Sequence, residues 1–95
     1  MVHRGKASAV RAIKQFVQAR AYEYTDHAYI EMREEAITDA DVNRAVVEGH
    51  LVARRTKDKR GTRYVFRGVG FDDRTIGVVC RILVGKALIV TAYRI

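Results

Sequence analysis

Residues 75–94 read TIGVVCRILVGKALIVTAYR, and they give the clearest indication of how the chain folds. Apolar and β-branched residues dominate it, and Gly85-Lys86 divides it into two runs of strand length. A Gly-Lys pair suits a two-residue type II′ turn, in which glycine takes the positive φ. The stretch therefore predicts an antiparallel hairpin in which Val84 lies opposite Ala87.

The alternation of side chains within this hairpin predicts two different faces. One face, which includes Cys80 and Tyr93, carries no charge and is expected to pack on helices. The other face carries Arg81 and Arg94 among apolar side chains and is expected to be open to solvent. The hairpin thus predicts a basic sheet surface on the side away from the helices.

The same alternation extends upstream to two more predicted strands, over residues 51–56 and 62–67. In the second of these, Arg63 and Arg67 share a parity and are expected to join the open face. Glycine-bearing polar segments of about the length of hairpin loops separate the strands, which favours antiparallel neighbours.

Before residue 50 the apolar residues recur with a period of about 3.6, which predicts helices. An amphipathic helix is predicted to begin at Ser8. A second helix is capped by Thr25 or Asp26. A third has Thr38 as its N-cap and ends at Gly49, which takes the left-handed conformation. The predicted fold class is α+β, with two to three N-terminal helices packed on one face of a four-stranded twisted antiparallel sheet.

The 95 residues predict a single domain, with residues 1–7 frayed, residues 8–49 helical and residues 50–95 forming the sheet. Cys80 is the only cysteine, which excludes an internal disulfide and fits a reducing compartment. No stretch reads as a signal peptide or a membrane span. We therefore expect a cytoplasmic protein that does not bind membranes.

The net charge of +7 is concentrated in the second half of the chain. Residues 1–49 hold seven basic and eight acidic residues, whereas residues 50–95 hold eleven basic and three acidic ones. A basic surface of this density predicts a polyanionic partner, and RNA is the one we expect. DNA binding through the helices is disfavoured because the helical half is net acidic. The residues expected to bind RNA are Arg54, Arg55, Lys57, Arg60, Arg63 and Arg67.

Cleavage of RNA through its own 2′-hydroxyl needs a proton acceptor, donors that stabilise the phosphate and a proton donor. The expected catalytic residues are His27, which falls in the first turn of the second helix, and Arg81 and Arg94 on the open face. A tyrosine is the other candidate for proton transfer. The structural alternatives are a salt bridge from Arg81 to an acidic helix residue and a packing role for His27. No metal-binding or cofactor motif is present, so neither a metal nor a cofactor is predicted.

A series of residues along nearly the whole chain follows one family pattern: Val10 to Val17, Thr25-Asp-His-Ala28, Met32, Ile37, the Asp41-Val42 pair, Gly49 and Leu88 to Arg94. With the order of helices and strands, it resembles the MqsR/RelE-type (BECR-fold) toxin superfamily. The resemblance is particularly to a related family of small uncharacterised domains found beside zinc-ribbon antitoxins.

This resemblance implies the toxin of a type II toxin-antitoxin system, acting as a cofactor-free and metal-independent mRNA endonuclease. Its implied partners are mRNA, on or off the ribosome, and a cognate antitoxin such as a zinc-ribbon DNA-binding protein. Glu31 and Glu35 stand where the related family tends to carry arginines, and Val79 stands where MqsR-like proteins carry a tyrosine. These departures favour the alternative, a non-catalytic module of the same fold that binds RNA, the ribosome or a protein.

Overall fold

A computed structural model describes residues 5–95, which form three helices and one five-stranded sheet. The elements in chain order are α1 (Lys6–Gln18), β1 (Tyr22–Tyr24), α2 (Asp26–Glu34), α3 (Asp39–Glu48), β2 (His50–Arg55), β3 (Arg63–Val69), β4 (Thr75–Leu83) and β5 (Lys86–Arg94). The α+β class is confirmed. No helix within residues 5–95 is long and apolar enough to cross a membrane.

The sheet has the strand order β1-β5-β4-β3-β2 and is mixed, because β1 pairs with β5 in parallel while the other pairs are antiparallel. The prediction of a four-stranded antiparallel sheet was therefore wrong. Strand β1 covers only Tyr22–Tyr24, and three residues are too few to show a period of two. It also lies inside the segment predicted to be wholly helical.

Side-chain caps place the starts of α2 and α3 where the sequence predicts them. Thr25 accepts a hydrogen bond from the Ala28 N–H at 3.0 Å, and Thr38 forms a capping box with Asp41. Helix α1 begins at Lys6, inside the segment 1–7 that was expected to be frayed. Residues 1–4 of that segment lie outside the described residues.

Gly49 ends α3 for a reason other than the predicted left-handed stop. Its φ is −86°, and a Cβ atom built on it would lie 2.0 Å from the Ala45 carbonyl oxygen. The glycine is needed because the backbone of α3 and the backbone of β3 approach each other closely there. The last carbonyls are satisfied from α1, since the Lys14 ammonium donates to Val47 O at 2.9 Å and to Gly49 O at 2.6 Å.

The core lies between the three helices and one face of the sheet. Its buried residues come from the three helices, from the α2–α3 connection and from the side chains of β3, β4 and β5 that face the helices. They are Ala9, Ile13, Val17, Ala28, Met32, Ile37, Val42, Ala45, Val46, Tyr64, Phe66, Ile76, Val78, Cys80, Ile89 and Ala92. Because the described helices all pack on this face, the opposite parity of the strands forms an open face.

The β4–β5 hairpin differs from its predicted register. The turn residues are Val84 and Gly85, with Leu83 opposite Lys86, so the predicted Gly85-Lys86 turn was wrong. Gly85 has φ +75° at the second turn position, as in a type II turn. Further along, Cys80 pairs with Ile89 but Val79 pairs with Thr91, which leaves Val90 as the extra residue of a β-bulge.

The bulge at Val90 exchanges the faces of the residues that follow it. Up to the bulge the predicted parity holds, because Arg81 lies opposite Leu88 on the open face. After it, Tyr93 pairs with Gly77 on the open face and Arg94 pairs with the core residue Ile76. The sequence had predicted Tyr93 on the helix side and Arg94 on the open face, and both predictions were wrong.

Helix α2 covers the edge of β5 that the short β1 leaves unpaired. Thr25 donates its hydroxyl to Val90 O at 2.8 Å, and Glu31 accepts a hydrogen bond from Thr91. Glu35 accepts from the backbone N–H of Arg94 at 3.2 Å. Side chains of α2 and of its two cap residues thus replace the missing ladder partners of β5.

Candidate nucleic-acid interface

The open face of the sheet is crossed by a row of four residues that lie directly opposite one another. His50 on β2 pairs with Arg67 on β3, Arg67 pairs with Gly77 on β4, and Gly77 pairs with Tyr93 on β5. Since neighbouring strands are about 4.8 Å apart, this cross-strand row spans roughly 14 Å. It brings an imidazole, a guanidinium and a phenol to one line on the surface.

Gly77 leaves the space that the Tyr93 ring occupies. A Cβ atom built on Gly77 would lie 2.4 Å from Tyr93 Cζ and 2.7 Å from its hydroxyl oxygen. The ring therefore lies across β4, and its hydroxyl is one strand away from Arg67. A glycine opposite an aromatic residue is a known way to seat the ring on a sheet.

An apolar row follows next to the cross-strand row. Val65 pairs with Val79, and their residue exposures are 7% and 9% although the helices lie on the other face. Long side chains surround them on the open face. The methylene groups of arginine can cover apolar surface while the guanidinium group reaches solvent. The apolar row of Val65 and Val79 is thus largely shielded from water.

A second basic group, which we call the distal arginines, lies beyond the apolar row and consists of Arg55, Arg63 and Arg81. Arg55 pairs directly with Arg63 across β2 and β3, and Arg81 has the same parity on β4. From Arg63 to Arg67 along β3 the distance is about 13 Å, which is too far for one phosphate to touch both. The two basic groups together suit an extended polyanion rather than a single anion.

A groove of about 410 Å³ opens beside His50 and Arg67, where α3 meets β2 and β3. Arg44 lines it, and the guanidinium of Arg44 lies 4.9 Å from the centre of the exposed Phe71 ring. Arg44 also donates to Gly70 O at 3.3 Å. Glu48 lines the groove as well, with its Oε1 3.7 Å from Arg44 Nε, so the groove extends past the end of the cross-strand row with charges of both signs.

Residues 24–94 match a family described as a domain of unknown function (DUF4258). The chain belongs to this family. No curated protein and no solved structure matches the chain. The matched segment leaves out α1 and includes β2 to β5 with every residue of the cross-strand row. The open face is thus part of the DUF4258 domain itself.

The residues predicted to bind RNA divide into three places in the DUF4258 domain. Arg55, Arg63 and Arg67 lie on the open face. Arg54 pairs with the core residue Tyr64 and so lies on the other side of β2. A bulge at Val52 sets this parity, because it leaves Leu51 and Ala53 as partners of adjacent β3 residues. Lys57 and Arg60 are exposed in the β2–β3 loop.

Arg94 was predicted on the open face, and the structure places it on the helix side instead. Its Nε donates to Glu35 O at 2.8 Å, and its Nη2 donates to Ala36 O at 2.9 Å. The same Nη2 lies 2.9 Å from a carboxylate oxygen of Asp72, and the side chain is 17% exposed. The bulge at Val90 turns Arg94 towards α2, where its guanidinium caps the carbonyls at the helix end.

His27 lies at the β5 edge of the sheet. Its Nε2 is 3.6 Å from Glu31 Oε1, and the same Glu31 accepts a hydrogen bond from Thr91. The guanidinium of Arg94 lies past the opposite end of α2, about 12 Å away along the helix axis. Arg81 is on the open face of β4. The structure therefore does not bring the three predicted catalytic residues together.

The sequence did not predict that His50 and Tyr93 lie on the open face, or that Asp58 of the β2–β3 loop contacts Arg63 beside it. His50 directly follows a helix end, and the bulge at Val90 reversed the predicted side of Tyr93. A signal for Tyr93 was present, since Gly77 interrupts an apolar strand at the position that faces the aromatic ring. No comparable signal marks Asp58.

A separate polar cluster ties β1 to the start of α3. Asp39 accepts hydrogen bonds from the hydroxyls of Tyr22 and Tyr24 and from Arg20 at 2.8 Å. Burial acts to raise the pKa of Asp39, but these three donors outweigh it and hold the pKa below its usual range. Burial and the neighbouring carboxylate raise the pKa of Tyr24 well above its ordinary value. The Tyr24 phenol thus stays protonated and serves as a hydrogen-bond donor.

Cys80 lies in the core, and burial raises the pKa of its thiol to about 12. The reactive form of cysteine is the thiolate, so this side chain is an inert part of the packing at neutral pH.

Proposed function

We propose that this DUF4258 domain is a metal-independent endoribonuclease that binds single-stranded RNA on its open face. The cross-strand row of His50, Arg67 and Tyr93 is the observation that carries the proposal. The three side chains supply the functions that cleavage by the 2′-hydroxyl requires, and they stand on rigid strands rather than on loops. This assignment replaces His27 and Arg94 with His50 and Tyr93 and retains Arg81 as a phosphate-binding residue.

In the proposed reaction the imidazole of His50 accepts the proton of the 2′-hydroxyl, whose oxygen attacks the adjacent phosphorus. Imidazole exchanges protons near neutral pH, which suits this step. Arg67 stabilises the charge on the five-coordinate phosphate with its paired donors. The hydroxyl of Tyr93 donates a proton to the departing 5′-oxygen. The products are a 2′,3′-cyclic phosphate and a free 5′-hydroxyl.

We further propose that the fold is RelE/MqsR-like and that the protein is a cytoplasmic toxin of a type II toxin-antitoxin system. The resemblance described from the sequence supports this assignment, and so does the uncovered basic face, which an antitoxin can cover. A zinc-ribbon protein is the proposed antitoxin, and mRNA is the proposed substrate. The antitoxin would then neutralise the toxin by covering the same surface that binds RNA.

The test is cleavage of a single-stranded oligoribonucleotide by the purified protein in the presence of EDTA, with the new RNA ends identified. Arg67→Ala is expected to lower the rate about 100- to 1,000-fold. His50→Ala and Tyr93→Phe are each expected to lower it about 100-fold or more. Arg54→Ala is the matched control, because it removes a neighbouring arginine from the other side of β2, and it should retain the wild-type rate within about twofold.

The alternative function, a non-catalytic module that binds RNA, the ribosome or a protein, gives a different result in the same assay. The wild-type protein would bind the oligonucleotide or its partner and leave the RNA intact. Equal rates for the Arg67→Ala and Arg54→Ala variants would also refute the proposed site. Thermal unfolding of each variant separates loss of chemistry from loss of folding.

A further inference from the structure

Two guanidinium groups of the distal arginines have an unused donor. The Nε atoms of Arg63 and Arg81 are buried, and neither has an aligned hydrogen-bond partner among residues 5–95. A buried donor without a partner costs free energy, and the cost is larger when the group is charged. An anion that reached both groups would remove that cost.

One anionic side chain already lies beside these arginines. Asp58, in the β2–β3 loop, has its Oδ2 2.6 Å from Arg63 Nε. The contact is an ion pair without a well-directed hydrogen bond, because the Arg63 N–H does not point at the oxygen. The other oxygen, Oδ1, accepts the backbone N–H of Arg60 at 2.8 Å.

Asp58 is fully ionised at neutral pH. The hydrogen bond from the Arg60 backbone lowers its pKa, burial opposes this, and the nearby charges of Arg63 and Arg81 lower it further. The net result is a pKa below the usual range of aspartate. A fixed negative charge thus lies against Arg63 and within the influence of the charge of Arg81.

A single carboxylate does not match the donors around it. Each guanidinium has five N–H donors, and Arg55 adds a third guanidinium directly opposite Arg63. One oxygen of Asp58 is engaged with its own loop, which leaves the other for the arginines. A phosphodiester has two non-bridging oxygens that share its negative charge, and neither is engaged with the loop, so the paired donors of arginine can bind both.

We propose that Arg63 and Arg81 form a binding site for an RNA phosphate, and that Asp58 occupies this site in the free protein. The loop is then a built-in competitor that RNA must displace. This inference rests on the proposed binding of RNA by the open face. The loop can yield because Asp58 makes its other contacts within the loop, where Gly61 N–H donates to Asp58 O at 3.1 Å.

The test compares Asp58→Asn with Asp73→Asn. Both changes remove one negative charge, but Asp73 lies in the β3–β4 loop at the opposite end of β3 and its φ of +62° suits asparagine. Binding of inorganic phosphate is followed by the NMR signals of the Arg63 and Arg81 Nε–H groups. Binding of a non-cleavable 2′-O-methyl oligonucleotide is measured in parallel.

Asp58→Asn is expected to bind both probes about fivefold more tightly than the wild type, whereas Asp73→Asn should change binding less than about twofold. Adding Arg63→Ala to Asp58→Asn should abolish the gain. Equal affinities for the two asparagine variants, or weaker binding by a folded Asp58→Asn, would overturn the inference. Because the probes are not cleaved, this result is independent of whether the protein is a nuclease.

Discussion

At the scale of single residues, the neighbours Tyr93 and Arg94 show where sequence patterns reach their limit. Alternation correctly placed Arg63, Arg67 and Arg81 on the open face, because their strand segments pair without interruption there. It misplaced Tyr93 and Arg94, since one extra residue at Val90 reverses every side chain beyond it. The placement of these arginines on the open face was therefore predictable, and that of the proposed proton-transfer residue Tyr93 was not.

Gly77 offers a test of the Tyr93 position by a single added methyl group. In Gly77→Ala the new Cβ collides with the far end of the Tyr93 ring, so the ring must move away from Arg67. We expect RNA cleavage to fall at least tenfold, while the free energy of unfolding is unchanged or rises by up to about 1 kcal/mol, as alanine favours a strand more than glycine does. Cleavage rates and urea unfolding measure the two effects.

The matched control for this prediction is the same substitution in a Tyr93→Ala background. There the added methyl group meets no ring, so Gly77→Ala should cause no further loss of cleavage. A Gly77→Ala protein with wild-type activity and a displaced ring would show that the Tyr93 hydroxyl takes no part in the reaction.

At the scale of elements, local chemistry predicted helix starts better than it predicted sheet edges. Thr25 and Thr38 cap their helices because a hydroxyl in that position can accept an orphan N–H, and this depends on adjacent residues only. Strand β1 depends on β5, whose residues are more than sixty positions away in sequence. The close approach at Gly49 likewise depends on β3. Features set by distant partners were the ones that the sequence did not reveal.

The capping box of α3 predicts a stability that depends on pH through Asp41. Burial acts to raise the pKa of this carboxylate, but the N–H groups of Thr38 and Phe71 donate to it and hold its pKa below the usual range. A lowered pKa in the folded state stabilises the protein above the pKa of the unfolded state, about 3.9, and this stability is lost as the pH falls through the folded value. The wild type should therefore lose stability below about pH 4.

Asp41→Asn should lower the free energy of unfolding by about 1 kcal/mol at pH 7 and should show a smaller further loss at pH 3 than the wild type. Urea unfolding at the two pH values measures both effects. Asp73→Asn serves as the comparison, and it should follow the wild-type pH dependence. Parallel curves for Asp41→Asn and the wild type would mean that the pKa of Asp41 is not lowered in the folded state.

At the scale of the whole molecule, the charge asymmetry of the sequence becomes an asymmetry of surfaces. The strands hold most of the excess positive charge, and four of their arginines share the open face: Arg55, Arg63, Arg67 and Arg81. The acidic residues of the first half stay with the helices and β1, where several pair with cations, as Asp39 does with Arg20. Net charge predicted an anionic partner, and the topology gathers four of the arginines on one surface.

The number of arginines on the open face predicts the salt dependence of RNA binding. If all four neutralise phosphates, a plot of log affinity against log salt concentration should have a slope of about −3 for single-stranded RNA. Each arginine-to-alanine change on the open face should reduce the steepness by about 0.7, and Arg54→Ala should leave it nearly unchanged. Fluorescence anisotropy at several salt concentrations gives the slope. A shallow slope that Arg54→Ala alters as much as Arg67→Ala would locate binding elsewhere.

The position of β5 between β1 and β4 also has a consequence for biosynthesis. Both neighbours of β5 leave the ribosome before it does, and neither the parallel pair with β1 nor the hairpin with β4 can close until it emerges. The contact between β1 and β5 forms slowly because more than sixty residues separate them in the chain and this long loop must close first. The nascent chain therefore carries Arg55, Arg63, Arg67 and Arg81 before the strand that holds Tyr93 has joined the sheet, so the cross-strand row is completed last.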